Sequence, residues 1–332
     1  MLNKKNLANR ILVGAGIFLL MLAMILADVY LPASLFDGTP FFFLSGRVFN
    51  SVVISVIILL AVVEMRRALG KERIPDCFSW LLWAYGFGLG ISYSFFGYLG
   101  IIFITMLVFF GAAVTSLWKN CPESLFYVAY MLVYPGLFLA SLLYINRCAA
   151  THSYEAMSAF MENDIWFYIS TKRSANLLPL NAIGLAFVFA VSSFTDVFAY
   201  FIGSLFGKHK LCPEISPNKT KEGAVGGLFG GIFGAFVVFV VFDWVKLFPP
   251  QYGLTFEPLG LAKWGIALIY AAIGVFGSIF TQIGDLLASH VKRCCGIKDY
   301  SHVLGSHGGI MDRFDGIMLN SMFVAFVFMF VL

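Results

Sequence analysis

The feature that most constrains this chain is the repetition of apolar runs close to 20 residues long. A helix needs about 20 mostly apolar residues to cross bilayer hydrocarbon, with roughly 17–25 tolerated. Nine runs approach that measure, at about 11–27, 48–63, 78–97, 99–118, 124–145, 180–206, 224–243, 261–283 and 317–332. The third and fourth belong to one stretch of about 40 residues, twice what one span requires, so a reversal is expected near Gly97–Gly100. The last is the shortest, at 16 residues. Backbone polar groups have no water partner in hydrocarbon, which leaves helices as the economical solution. The pattern predicts an all-α, polytopic integral membrane protein with about nine transmembrane helices.

Length alone would suggest two soluble domains. Composition excludes them: 60% of the 332 residues are hydrophobic and 12% charged, against about 25% charged in soluble domains. The net charge of +4 is mild and calls for no nucleic acid. Cys77, Cys121, Cys148, Cys212, Cys294 and Cys295 form no CxxC pair and no metal spacing with His, so free thiols are expected. Lys4, Lys5 and Arg10 ahead of Ile11–Ala27 resemble a secretory signal. The run is long for a signal core and no small-residue cleavage site follows it, which favours a retained first helix.

Positive residues favour the cytoplasmic side of membrane proteins. With the N-terminus inside, segments 1–10, 64–77, 119–123, 207–223 and 284–316 carry 16 of the 22 Lys and Arg. The predicted orientation is N-in and C-out, with the polar loops in the cytosol and an inner (plasma) membrane as the expected location. The chain divides into 1–179, N-terminal helices with an outer polar connection over 146–176, and 180–332, which holds the chemistry-bearing residues. The connection carries Trp166, Phe167 and Tyr168, suited to a membrane interface.

Two inner segments do more than reverse direction. In the first, Asp196 follows 15 uncharged residues. A carboxylate at that depth is costly and by default a functional candidate, the alternative being an Asp that bonds a neighbouring helix. Asp196, Tyr200 and Gly203 share one helix face. The basic loop that follows, with Lys208, Lys210, Lys219 and Lys221, is stiffened at Ser216-Pro217. It suits an anion, although an ordinary positive-inside loop would look similar. Beyond it, Gly223, Gly227 and Gly231 form one ridge and Gly226, Gly230 and Gly234 another, a pattern for close helix packing.

The second segment runs from Gly284 to Asp315. If 285–293 is helical, Asp285, Ser289 and Lys292 fall within roughly 60° of one another. Asp312 and Asp315, at i and i+3, also share a face. Carboxylates are hard oxygen ligands of the kind Mg²⁺ takes together with substrate phosphates. Lys292, Arg293, Lys298 and Arg313 add cations suited to phosphate oxygens. His307-Gly308-Gly309 offers backbone N–H groups with little side-chain obstruction. The mixture reads as metal-assisted phosphoryl chemistry, with a salt-bridged loop as the plain alternative.

The run Ser289-x-Val291-Lys292-Arg293-x4-Lys298-Asp299-x-Ser301-x2-Leu304-Gly305-x-His307-Gly308-Gly309-Ile310-x-Asp312-Arg313-Phe314-Asp315 closely resembles the signature of the phosphatidate cytidylyltransferases, also called CDP-diacylglycerol synthases. The upstream run from Asp196 through Lys208, Ser216-Pro217 and Lys219-Thr220 to Gly223 is similar to the same family. The resemblance covers about 193–316 and implies CTP plus phosphatidic acid giving CDP-diacylglycerol and pyrophosphate. It implies Mg²⁺, with a second cation left open, and Asp285, Asp312 and Asp315 as ligands. Lys292 joins these three as catalytic. Asp196, Lys208, Ser216, Lys219, Ser289, Arg293, Lys298, Asp299, His307, Gly308, Gly309 and Arg313 form the expected substrate-binding set. Two departures are Gly305-Ser306, where the family usually has Pro-Gly, and Gly316, where it commonly has Ser.

Other classes fit less well. A transporter would suit nine spans and Asp196, but paired half-molecule repeats are not evident. A CTP-dependent lipid or polyprenol kinase shares the surroundings and the metal chemistry. A CDP-alcohol phosphotransferase would need Asp-Gly-x2-Ala-Arg, whereas Asp315-Gly316 is followed by Ile-Met-Leu-Asn. Acyl-chain preference and oligomeric state, a homodimer included, are left open by the sequence.

Overall fold

The computed structural model describes residues 4–31, 45–146, 149–150, 178–179, 181–248, 263–304 and 308–330. Each predicted span corresponds to one helical segment. These are α1 Lys4–Tyr30, α2 Gly46–Leu69, α3 Ser79–Phe96, α4 Tyr98–Lys119, α5 Pro122–Ile145, α6 Asn181–Phe206, α7 Lys221–Trp244, α8 Lys263–Cys294 and α9 Met311–Phe330. Seven of them are long and apolar enough to cross a membrane, all but α3 and α9. The fold is all-helical and membrane-spanning. Its described strands are two short pairs, β1 Ala149–Ala150 with β2 Leu178–Pro179, and β3 Lys210–Cys212 with β4 Ser216–Thr220. Most of the 146–176 connection, with Trp166, Phe167 and Tyr168, lies outside the described residues.

Local chemistry explains the breaks. The reversal between α3 and α4 falls at Gly97, whose φ of 62° is left-handed backbone that glycine adopts without strain. The Ser92 hydroxyl then donates to the Gly100 carbonyl at 2.8 Å and ties the two helices together. Within α5, Pro135 cannot continue the hydrogen-bond ladder, and Tyr134 leaves helical geometry at φ −121°, ψ 108°. Tyr85 of α3 donates to the Leu132 carbonyl inside that break at 2.9 Å.

Packing sorts the helices by burial. α2 and α5 are central, whereas α1 and α4 lie at the periphery. Leu117, Trp118 and Phe126 are 78–84% exposed, a surface made for lipid rather than water. The α7 glycines are architectural and serve two neighbours. Side chains at Gly226 and Gly234 would run into Ile202 and Ala190 of α6; at Gly227 and Gly231 they would meet Gln282 and Ser278 of α8. Buried Asn320 of α9 donates to the Val188 carbonyl at 3.1 Å and to Ser192 Oγ at 2.9 Å. α6 to α9 thus form one packed unit, with α2 lying against α9.

Of the helix boundaries that differ from the sequence expectation, two carry expected site residues onto helices. α8 has 32 residues, about 48 Å at 1.5 Å per residue, so it outlasts a hydrocarbon core of about 30 Å. α9 begins at Met311 rather than 317, because Ile310 and Met311 find an acceptor for their N–H groups within the protein.

Candidate active site

The site is assembled from four pieces: the middle of α6, the β3–β4 hairpin, the end of α8 and the first turn of α9. The basic loop after α6 is a hairpin. Antiparallel pairing sets Lys210 opposite Thr220 and Cys212 opposite Ser216. Thr220 caps α7 by accepting the Gly223 N–H at 3.1 Å. The Glu222 carboxylate gathers the N–H groups of Lys208 at 3.1 Å and His209 at 3.2 Å, closing the base of the hairpin. β4 thereby presents half-buried Lys219 to α8, where its Nζ lies 2.5 Å from Asp285 Oδ2. Ser289 stands one turn further along α8 and donates weakly to Asp285 Oδ1, at 3.4 Å.

Asp285, Asp315 and Asp196 feel one another's charge, and Lys219 and Arg313 act on Asp196 in the opposite sense. Three helices therefore bring carboxylates to one neighbourhood with cations among them. Asp315 Oδ1 accepts its neighbour Gly316's N–H at 2.8 Å. Gly284 and Gly316 permit the approach of α8 to α9 here, since a side chain at Gly284 would strike the Asp315 carbonyl.

Asp312 is employed differently. Its Oδ1 meets Lys292 Nζ at 2.7 Å, and its Oδ2 accepts the N–H groups of Gly309 at 2.9 Å and Tyr300 at 3.0 Å. The pair is buried, with side chains 12% and 5% exposed. Lys292 also lies 5.5 Å from the centre of the Tyr300 ring. Burial, reinforced by Tyr130, Cys295 and the site carboxylates, pushes the Tyr300 phenol well above its ordinary range. It stays protonated and donates to the Ala288 carbonyl at 3.1 Å.

Two local arrangements bear on the sequence expectations. Gly309 does not offer a vacant N–H, since Asp312 already holds it. Gly308 has φ 79°, and a side chain there would collide with Asp312. Both glycines accommodate the protein's own carboxylates. Among the described residues, Asp285, Asp312 and Asp315 are not gathered into a group of three His, Cys, Asp or Glu side chains placed to hold an ion.

Of the remaining expected residues, Arg293 is exposed and donates from Nε to the Ile215 carbonyl at 3.2 Å and from Nη1 to the Ile297 carbonyl at 3.4 Å. It bridges the hairpin and the segment after α8. Lys208, Lys298, Asp299 and Arg313 are exposed, and Ser216 is half-buried at the start of β4. His307 lies outside the described residues.

Sequence reasoning missed Glu64 of α2. It is 2% exposed, and its carboxylate accepts Ser301 Oγ at 2.6 Å, Ile310 N–H at 3.0 Å and Met311 N–H at 2.9 Å. The signal was present, because Glu64 ends an uncharged run from Val48 to Val63, as Asp196 ends another. Its neighbours Arg66 and Arg67 made it look like an ordinary loop charge.

A helical membrane protein whose carboxylates and cations converge near the ends of its spans is equipped to handle phosphate beside lipid. Residues 33–331 match the model of the Cytidylyltransferase family, and the chain belongs to that family. Among its relatives, the phosphatidate cytidylyltransferase of Staphylococcus saprophyticus is 41% identical over 134 residues, 40% of this chain and 44% of that protein. That of Staphylococcus haemolyticus is 40% identical over the same length, and that of Bacillus subtilis 38% over 151 residues, 45% of this chain and 49% of its own. The matched stretch thus spans less than half of each relative.

Proposed function

We propose that this chain is a phosphatidate cytidylyltransferase. A phosphate oxygen of phosphatidate attacks the α-phosphorus of CTP, the bond from that phosphorus to the bridging oxygen breaks, and pyrophosphate leaves with CDP-diacylglycerol as product. The observation that carries the reading is the Lys219–Asp285 ion pair standing where α8 meets α9 at Gly284 and Asp315, with Asp196 and Arg313 in electrostatic reach. The named relatives add to it.

Carboxylates that repel one another face a polyanion usefully only with a cation between them, so the donor set fits Mg²⁺. Mg²⁺ is commonly held by one or two carboxylates with substrate phosphates and water completing its shell. Asp285 and Asp315 would hold it, and bound there it would neutralise charge developing on the transferred phosphoryl group. Asp312 is less available as a ligand, because Lys292, Tyr300 and Gly309 already use three of its acceptor sites. Lys219 and Arg313 contact phosphate oxygens, and exposed Lys208 and Lys298 draw the nucleotide inward. The chemistry needs no homodimer, since every named group comes from one chain.

The positively charged segments and the bacterial relatives support a plasma membrane location with these loops in the cytosol. A cysteine-labelling scan should reach sites near 215 and 300 only from the cytoplasmic side; labelling of 300 from outside would overturn the orientation. The activity is tested with purified chain in detergent, CTP, phosphatidate and Mg²⁺. Pyrophosphate release that requires the lipid is expected. CDP in place of pyrophosphate would favour a CTP-dependent lipid kinase.

A further inference from the structure

We infer that Glu64 is a positioning residue, acting through the segment that carries Gly308, Gly309, Asp312 and Arg313; the inference rests on the cytidylyltransferase reading above. The carboxylate comes from α2, far from the signature in sequence, and is buried. Burying such a group is costly unless hydrogen bonds compensate. Here two backbone N–H groups and one hydroxyl supply them, and both oxygens are used: Oε1 accepts Ser301 Oγ and Ile310 N–H, and Oε2 accepts Met311 N–H. Gly309 leaves room for it, since a side chain there would overlap the carboxylate.

The consequence is a second lock on one loop. Asp312 holds Tyr300 and Gly309, while Glu64 holds Ser301, Ile310 and Met311. Both ends of the segment from 300 to 311 are thus tied to carboxylates. Glu64 also accepts the N–H groups that open α9, where helix geometry favours negative charge. It thereby fixes where the first turn of α9, and with it Asp312, Arg313 and Asp315, stands relative to α8. Its hydrogen bonds go to Ser301, Ile310 and Met311, so it acts through the segment they belong to.

Glu64→Gln keeps the shape and removes the charge. Whichever way the amide turns, its NH₂ faces a donor: Met311 N–H on one side, or Ser301 and Ile310 on the other. Glu64→Asp keeps the charge on a shorter stem. For full-length chain in detergent with CTP and phosphatidate, turnover per folded molecule should fall roughly 10- to 100-fold in E64Q, the scale of a misplaced constellation. E64D should retain more turnover than E64Q. Amide exchange at Ile310 and Met311 should quicken in E64Q while the α6 amides keep their protection. Turnover in E64Q within twofold of the parent, or E64Q exceeding E64D, would overturn the inference. Should E64Q fail to fold, Ser301→Ala decides: it removes one donor and should cost about two- to tenfold in turnover, with faster exchange confined to 300–311. No change in either would overturn the inference. A parent that does not consume CTP would sink the cytidylyltransferase reading instead, and the exchange data would still report whether Glu64 holds the segment.

Discussion

The Lys292–Asp312 and Lys219–Asp285 pairs join the same residue types at similar distances, 2.7 and 2.5 Å. Only the first is locked. Asp312 is 5% exposed and gathers two backbone N–H groups besides its lysine, whereas Asp285 is 31% exposed and, among the described residues, has Ser289 as a further, weak donor. A buried charge that loses its partner is left uncompensated, while an open pair can exchange its partner for water, an ion or a phosphate. On the proposed reading Asp312 is therefore an anchor within the first turn of α9, and Asp285, beside the hairpin, is where ligands would compete. The same signature supplies one locked carboxylate, Asp312, and one open one, Asp285.

The largest effect that would test this contrast is on turnover. Asp285→Asn should lower kcat by about 10³-fold, the scale of losing one group that stabilises transition-state charge. Its melting temperature in detergent should move little, since a half-exposed pair open to water contributes on the order of 1 kcal/mol. Asp312→Asn should also lose activity, but with a cost of about 3–5 kcal/mol in stability for breaking a buried pair. A D312N protein that melts like the parent would erase the distinction between anchor and ligand.

The lysines sharpen it from the other side. Lys219→Ala should raise the KM for CTP about 10- to 100-fold, in the range of one charge-assisted hydrogen bond, with melting unchanged. Lys292→Ala should destabilise the protein, because Asp312 stays buried without its cation. If K292A melted normally and K219A did not, the roles of the two pairs would be reversed.

How much of this could be read from the sequence follows the same division. The spans were legible because hydrocarbon imposes a length and a composition on each helix. Asp285, Ser289 and Lys292 could be placed on one face because helical periodicity requires no partner. The hairpin was not legible: β3 and β4 are three and five residues long, and their pairing depends on Glu222 and Thr220 closing the base. Asp312 looked like Asp315 in sequence, and its commitment to Lys292, Tyr300 and Gly309 appears only once α8 and α9 are set side by side. Glu64 was hidden because its partners lie more than 230 positions away.

Arg293 offers the smallest and finest probe, since it belongs to neither pair yet joins the two regions. Its guanidinium reaches the Ile215 carbonyl in the hairpin and the Ile297 carbonyl beyond α8, so it couples the open side to the locked one. The residue is exposed, and its bonds to carbonyls leave its charge available to a phosphate. Arg293→Lys keeps the charge but replaces a planar fork by a single point donor, which cannot span both carbonyls. If Arg293 served only as a cation, R293K would behave like the parent. If it is the strut the geometry describes, the hairpin loosens from α8 and Lys219 is held less firmly beside Asp285. The expected outcome is a rise of about two- to tenfold in the KM for CTP, the scale of one ordinary hydrogen bond. Melting should be unchanged, and the Lys292–Asp312 side, followed by amide exchange at Tyr300 and Gly309, should keep its protection. Equal loosening on both sides would mean that the two regions form one unit and that the contrast between them is false.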